Sequence, residues 1–227
     1  MTLFVADGIT KVFTTETIET KAVNDVSFTI EAGDYLVLGG PSGCGKSTLL
    51  SLMGLMETPT GGKIKYDGVE VQSMSEDDRA RVRGVTLGFV FQAFHLIPHL
   101  TVRENIALRL DYHRQWSKQQ INEAIELACE RVGMTQRLDH YPDQLSGGQQ
   151  HRAAIARALA GSPKMILADE PTGNLDSKNG DQVMALLEEV NQQGTTICLV
   201  THDTRYLTAG RRTLQMQDGV IVSDTRR

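Results

Sequence analysis

The sequence predicts an α/β protein: a parallel sheet with helices on both faces, a small antiparallel β element, and an inserted helical lobe. Three observations carry this. Compact apolar runs recur that suit strands buried on both faces, a glycine-rich turn joins one of them directly to a helix, and helix-period apolar spacing fills the middle third.

The elements follow in order. "VSFTI" from Val26 and "YLVLGG" from Tyr35 are strands, and "KSTLLSLMGLM" from Lys46 is a helix. Asp67-Gly68 within "KIKYDGVEV" sits between alternating residues, the composition of a tight hairpin in the antiparallel element. "TLGFVF" (Thr86 to Phe91), "KMILAD" (Lys164 to Asp169) and "TTICLV" (Thr195 to Val200) complete the buried strands. Between them Ile121, Ala124, Ile125 and Ala128 recur at helical spacing behind a capping box of Ser117 and Gln120. Val183, Leu186, Leu187 and Val190 repeat that spacing before Gly194. With no repeat, low-complexity tract or Pro/Ser-rich linker, we expect one domain over 1–227: a core of 1–92 and 160–227, and a helical lobe of 93–159. Both termini are expected to form edge strands.

Composition narrows the function classes. The 227 residues carry a formal charge of -5, without the basic excess of a nucleic-acid wrapper, so no nucleic-acid partner is expected. Cys44, Cys129 and Cys198 form no CxxC pair, which speaks against a zinc site or a disulfide framework. The opening "MTLFVADGITKVF" lacks the basic start and long apolar core of a secretory signal, and no apolar run is long enough to span a bilayer.

"GPSGCGKST", Gly40 to Thr48, fits G-x-x-x-x-G-K-[ST] and stands where that pattern has mechanical meaning, after a strand and opening a helix. Gly40, Gly43 and Gly45, with Pro41, Ser42 and Cys44 between them, let backbone N–H groups turn toward the β- and γ-phosphates of a nucleotide. Lys46 adds a point charge, Ser47 a hydroxyl for Mg²⁺, and Thr48 a hydroxyl on the α-phosphate side. A carboxylate pair ends the strand "MILADE": Asp169 is placed to hold Mg²⁺ and Glu170 to polarise an attacking water. Gln92 and His202 end two other strands; Gln92 can reach both metal and water, and His202 the γ-phosphate. His95, His99, His140 and His151 are assigned to surface or core.

A second phosphate-binding turn is unexpected in a chain holding one nucleotide. "LSGGQ", Leu145 to Gln149, opens the Ala-rich helix "HRAAIARALAG", with Ser146 and Gln149 forming a capping box. Ser146, Gly147 and Gly148 offer free N–H groups that suit a nucleotide held by another copy, so the consistent arrangement is two chains head to tail.

These residues resemble the ATP-binding subunits of ABC transporters. The resemblance spans essentially the whole chain, with "GPSGCGKST", Gln92, "LSGGQ", "ILADEP", "GNLD" and His202 in the family's order. It implies a RecA-like P-loop NTPase core, an ATP-sandwich homodimer around Mg-ATP, Asp176 in the loop linking the two sites, and Phe13 either under adenine or in the core. It also implies a separate integral membrane permease, placing the chain peripherally on the cytoplasmic face of the cell membrane. "FVFQAFHLIPHLTVRENI" and "ADEPTGNLDS" resemble the branch serving lipoprotein release, macrolide or peptide export and division-associated complexes. Gln150 to Ala160 departs slightly from that branch's usual form, a difference expected on the helix surface.

Other classes compare poorly. A DNA-maintenance ATPase of this superfamily carries a long coiled-coil insertion, and no heptad block is present. A GTPase or small-molecule kinase has no use for "LSGGQ", and a pure binding module has none for Glu170. The permease is expected to dock near Gln92 and the apolar "AFHLIPHL", a run equally suited to the core.

Overall fold

The computed structural model describes residues 1–15 and 18–227. A six-stranded sheet runs in the order β10 (Val220–Arg226), β9 (Arg212–Gln217), β3 (Tyr35–Gly39), β8 (Thr196–Val200), β7 (Met165–Asp169), β6 (Leu87–Phe91). All pairings are parallel except the outer β10–β9 ribbon. A second, antiparallel sheet has the order β2 (Glu19–Glu31), β1 (Thr2–Thr14), β4 (Gly61–Tyr66), β5 (Val69–Glu70). The expectation for the termini is half corrected: β10 is an edge, but β1 lies between β2 and β4 and pairs with both. Asp67 and Gly68 both take positive φ between paired Tyr66 and Val69, as a two-residue hairpin with right-handed strand twist requires.

Alternation along β3 divides the core. Tyr35 and Val37 face a cluster built from the helical side of the chain, α3 (Val102–Leu110), α4 (Lys118–Arg131), α5 (Gly147–Leu159) and α6 (Ser177–Gln192). Leu36 and Leu38 face α1 (Lys46–Met53) and the antiparallel sheet, where Leu49 and Leu52 meet Phe4, Ile9 and Ile64. Each such side chain contributes roughly 1.5–3 kcal/mol on burial. Strand β3 therefore has no solvent face, and its carboxyl end opens directly into the glycine-rich turn.

The capping boxes form as expected at Ser117/Gln120 and Ser146/Gln149, and a third holds α3 at Thr101/Glu104. One helix has no apolar stripe to announce it: α2 (Glu76–Thr86) has no buried residue and is held by its Ser75 cap and the pairs Arg79–Glu76 and Arg81–Asp78. A second correction concerns the signature helix. His151 is not on its surface but fully buried, its ring edge-on to Phe94 at 5.2 Å between centroids. No helix among the described residues is long and apolar enough to cross a membrane.

Candidate functional site

Backbone geometry makes the cradle. Gly40, Gly43 and Gly45 have φ of 143, 79 and 103°, conformations that side chains disfavour. Space excludes a side chain as well, since a Cβ on Gly40 would lie 2.2 Å from the Met216 carbonyl and one on Gly45 2.1 Å from that of Ala22. The loop is tied to the β9–β10 turn by Gly219 N–H donating to the Cys44 carbonyl at 3.0 Å. Lys46 Nζ donates back to the carbonyls of Gly40 and Pro41 at 2.9 and 2.7 Å. Helix α1 begins on Gly45 with no side-chain cap, so its first N–H groups face a cleft of about 660 Å³.

Ser42, Gly43, Cys44, Gly45, Lys46, Ser47 and Thr48 line this cleft with Gln92, Glu170 and His202. Parallel register explains the gathering. Phe91 pairs with Asp169 and Asp169 with Val200, so the residues just beyond β6, β7 and β8 emerge side by side along one sheet edge, next to the loop after β3. Asp169 Oδ1 lies 3.5 Å from Ser47 Oγ, and burial pushes its carboxyl above the ordinary aspartate range. Glu170 turns out of the strand with φ of 47°, which brings Oε1 to 2.7 Å from His202 Nδ1. Gln92 is held by Asn174: its Nε2 donates to Asn174 Oδ1 at 3.2 Å and its carbonyl accepts from Asn174 Nδ2 at 3.0 Å.

Sequence reasoning missed Asn174, as well as Thr20, Lys21, Ala22, Asp218 and Gly219, which close the cleft from the antiparallel sheet and the β9–β10 turn. Asn174 lies within "GNLD", and Asp218-Gly219 is a hairpin dipeptide between paired Gln217 and Val220, a local signal for the turn but not for the cleft; Thr20, Lys21 and Ala22 carry none. Cys44 is 5% exposed, its thiol 3.9 Å from Lys46 Nζ. Phe13 is 42% exposed, which removes its core alternative, and it sits across from Thr20 in the β1–β2 register.

Ser146, Gly147, Gly148 and Gln149 do not line the cleft. Ser146 Oγ accepts from Gln149 N–H at 3.4 Å, and Gln149 Oε1 accepts from Ser146 N–H at 3.0 Å. A Cβ on Gly148 would lie 3.0 Å from Asn179 Oδ1, and Asn179 is bound through its N–H and amide to Asp176, the cap of α6. Those two bonds hold the Asp176 carboxyl below its usual range. The signature turn and the Asp176 loop thus abut within one chain.

A second cavity of about 380 Å³ opens between α2, β6 and α3. Met56, Leu108 and Tyr112, each more than 40% exposed, lie on its lining with Phe91 and His95. The backbone from Phe94 to His95 has positive φ at both residues, and Arg157 holds both of their carbonyls.

The ABC transporter family model matches residues 23–173. The chain is 44% identical to the lipoprotein-releasing system ATP-binding protein LolD of Anaeromyxobacter dehalogenans, over 96% of this chain and 91% of that one. It is 42% identical to the macrolide export ATP-binding/permease protein MacB of Chlorobaculum tepidum, over 97% of this chain and 34% of that longer one. Its fold superposes with TM-score 0.90 and 36% identity, covering 99% of this chain and 98% of the other, on a dimeric post-hydrolysis state of the ATP-binding cassette MJ0796 bound to ADP and Pi. The chain belongs to the ABC transporter ATP-binding family.

Proposed function

We propose that the cleft binds Mg-ATP through the Gly40–Thr48 loop, that Glu170 is the general base, and that the Ser146–Gln149 turn of a second copy closes the site. Family membership already supplies ATP hydrolysis coupled to transport. The observation that carries the rest is the row formed by Lys46, His202, Glu170 and Gln92 around one cleft from which the chain's own signature turn is absent.

Each residue has a task. The loop N–H groups, the α1 N-terminus and Lys46 bind the β- and γ-phosphate oxygens. Ser47 and Asp169, with Gln92 beside them, are the groups that fit Mg²⁺, a hard cation served by a hydroxyl, a carboxylate and an amide oxygen. Bound there, the ion neutralises charge on the phosphates. Glu170 takes a proton from the attacking water; His202, with a proton on each ring nitrogen, donates from Nδ1 to Glu170 and from Nε2 to the γ-phosphate. Phe13, beside Thr20, supplies the aromatic surface for adenine. Asp176 and Asn179 pass the state of one site to the signature turn that serves the other.

Two copies held through shared γ-phosphates separate when hydrolysis removes the group. Swinging such an equilibrium from 1:99 to 99:1 takes about 5.5 kcal/mol of differential binding, within reach of two charge-assisted phosphate sites. An integral membrane permease receives the motion at the α2–β6–α3 groove, which holds the chain at the cytoplasmic face of the cell membrane. Support comes from the exposed apolar residues of the groove and from MacB, a macrolide export ATP-binding/permease protein. The lobe of 93–159, which carries both the groove's helix α3 and the signature turn, is the moving part. Lipoprotein release or small-molecule export is the transport class that the LolD and MacB relatives support.

The experiment is sedimentation of the Glu170→Gln protein with saturating Mg-ATP. A dimer with two bound nucleotides and no turnover is expected. A strictly monomeric protein, alone and with its membrane partner, would sink the reading.

A further inference from the structure

Gln92 is the one side-chain amide that lines the cleft. An amide's oxygen and nitrogen ends are alike in size and opposite in role, so the end that faces a cation decides whether the residue attracts or repels it. Hydrogen bonds to the segment after β7 make that choice. The main-chain carbonyl of Gln92 can only accept, and it accepts from Asn174 Nδ2 at 3.0 Å. With its nitrogen so engaged, Asn174 meets the Gln92 side chain through Oδ1, which lies 3.2 Å from Nε2. An amide oxygen can only accept as well, so the end of Gln92 that meets it is the nitrogen. Oε1 is the end left over, and among the described residues it accepts no hydrogen bond.

Gly173 completes the seat. A Cβ there would lie 2.8 Å from Gln92 Nε2 and 3.0 Å from its Cδ, so the amide packs against bare backbone. Gly173 N–H donates to the Glu170 carbonyl at 3.0 Å, which makes 170–173 a turn that opens on the proposed base. Pairing of Phe91 with Asp169 in parallel register brings Gln92 out beside Glu170. One short segment thus fixes both groups. We propose that Asn174, with Gly173 beside it, is a positioning residue: it turns the Gln92 amide so that oxygen, not nitrogen, faces the cation and the attacking water. This rests on the reading above that Gln92 serves the metal, and adds to it the group that aims the ligand. Residues that hold a metal ligand from behind are commonly worth about 10–100-fold in metal affinity or activity.

The test uses the full chain carrying Glu170→Gln, so that ATP is bound and not cleaved, with Mn²⁺ as the metal probe. Asn174→Ala is expected to weaken Mn²⁺ binding at saturating ATP, read by electron paramagnetic resonance, about tenfold, and to leave ATP affinity in EDTA within about twofold. Gly173→Ala crowds the amide from its other side, at a residue whose φ is not positive, and should do the same; it carries the test if Asn174→Ala does not fold. NMR of the nucleotide-free chain should show the Gln92 NH₂ protected from exchange in the parent and unprotected in both variants. Adding Asn174→Ala to Gln92→Ala changes nothing further, because the first acts only through the second. Unchanged Mn²⁺ affinity in a folded variant, losses that multiply, or a Gln92 NH₂ that exchanges as freely as an exposed glutamine overturns the proposal and leaves the metal role of Gln92 standing. Mn²⁺ binding indifferent to Gln92→Ala overturns both.

Discussion

His202 Nδ1 lies 2.7 Å from Oε1 of Glu170, although the two are 32 residues apart and lie just beyond the ends of two adjacent strands, β8 and β7. The bond fixes the carboxylate at the mouth of the cleft and engages Nδ1, leaving Nε2 outside the pair. His202→Ala is therefore expected to lower kcat by about 10²–10³ with a smaller change in KM. Adding it to Glu170→Gln should cost little more, because the two act as a unit; fully multiplicative losses would show that they act separately.

Gly45→Ala sets a Cβ 2.1 Å from the Ala22 carbonyl on a residue with φ of 103°. The loop must shift, which moves the first N–H groups of α1 off the phosphates. ATP affinity should fall at least about tenfold, since a single charge-assisted hydrogen bond is worth about 1.5–3 kcal/mol. Calorimetric titration with ATP checks this, and wild-type affinity in a folded variant counts against the cradle geometry.

Asp169→Asn should weaken the Mg²⁺-dependent part of nucleotide binding by about 10–100-fold and spare binding measured in EDTA. Since burial raises the Asp169 carboxyl, it takes up its proton at higher pH than an ordinary aspartate, and Mg²⁺ dependence is expected to fade early on acidification. Equal losses with and without Mg²⁺ would remove Asp169 from the metal site.

Complete alkylation of Cys44 is expected to abolish ATP binding. The thiol sits against Lys46 and a Cβ on Gly40 would lie 2.9 Å from its sulfur, so an added group has no room without opening the loop. The same burial makes labelling slow in the folded protein. Unchanged nucleotide affinity after complete labelling would refute the assignment.

His151 gives the fold an acid-sensitive point. Burial among apolar groups lowers its pKa to about 4, and both ring nitrogens lack partners. Between about pH 4 and pH 6.5 the unfolded chain binds this proton and the folded chain does not, so stability falls as pH drops through that window and is retained above it. The full effect is about 3 kcal/mol. His151→Leu should flatten the melting temperature over that range; an unaltered pH profile would place the sensitivity elsewhere.

Much of this site was readable because its chemistry is contiguous. The cradle needs glycines, one lysine and one hydroxyl on consecutive residues, and that adjacency survives in a linear string. Capping boxes span four residues and the Asp67-Gly68 hairpin two, so they are equally visible. Legibility ended with the pairings that cross the chain. Gln92 and Asn174 are 82 residues apart, and Arg157 lies 62 and 63 from the carbonyls it holds. No local pattern marks such partners. His151 was left between surface and core for the same reason, because the helix stripe it occupies is covered by Phe94 from a distant loop. Helix α2 escaped notice since its stability comes from a cap and surface ion pairs rather than from an apolar stripe.

The order of residues alone determined that a glycine-rich turn ending in Lys46 and Ser47, an acidic strand end and a second glycine-bearing helix start coexist in one chain, because each is a short-range property of backbone and side chain. Packing settled which of them share a cleft. Parallel register carried Gln92, Glu170 and His202 to one edge beside Lys46, and packing kept the chain's own Ser146 away from it, since distances between strands and helices are fixed by burial in three dimensions and not by separation along the chain.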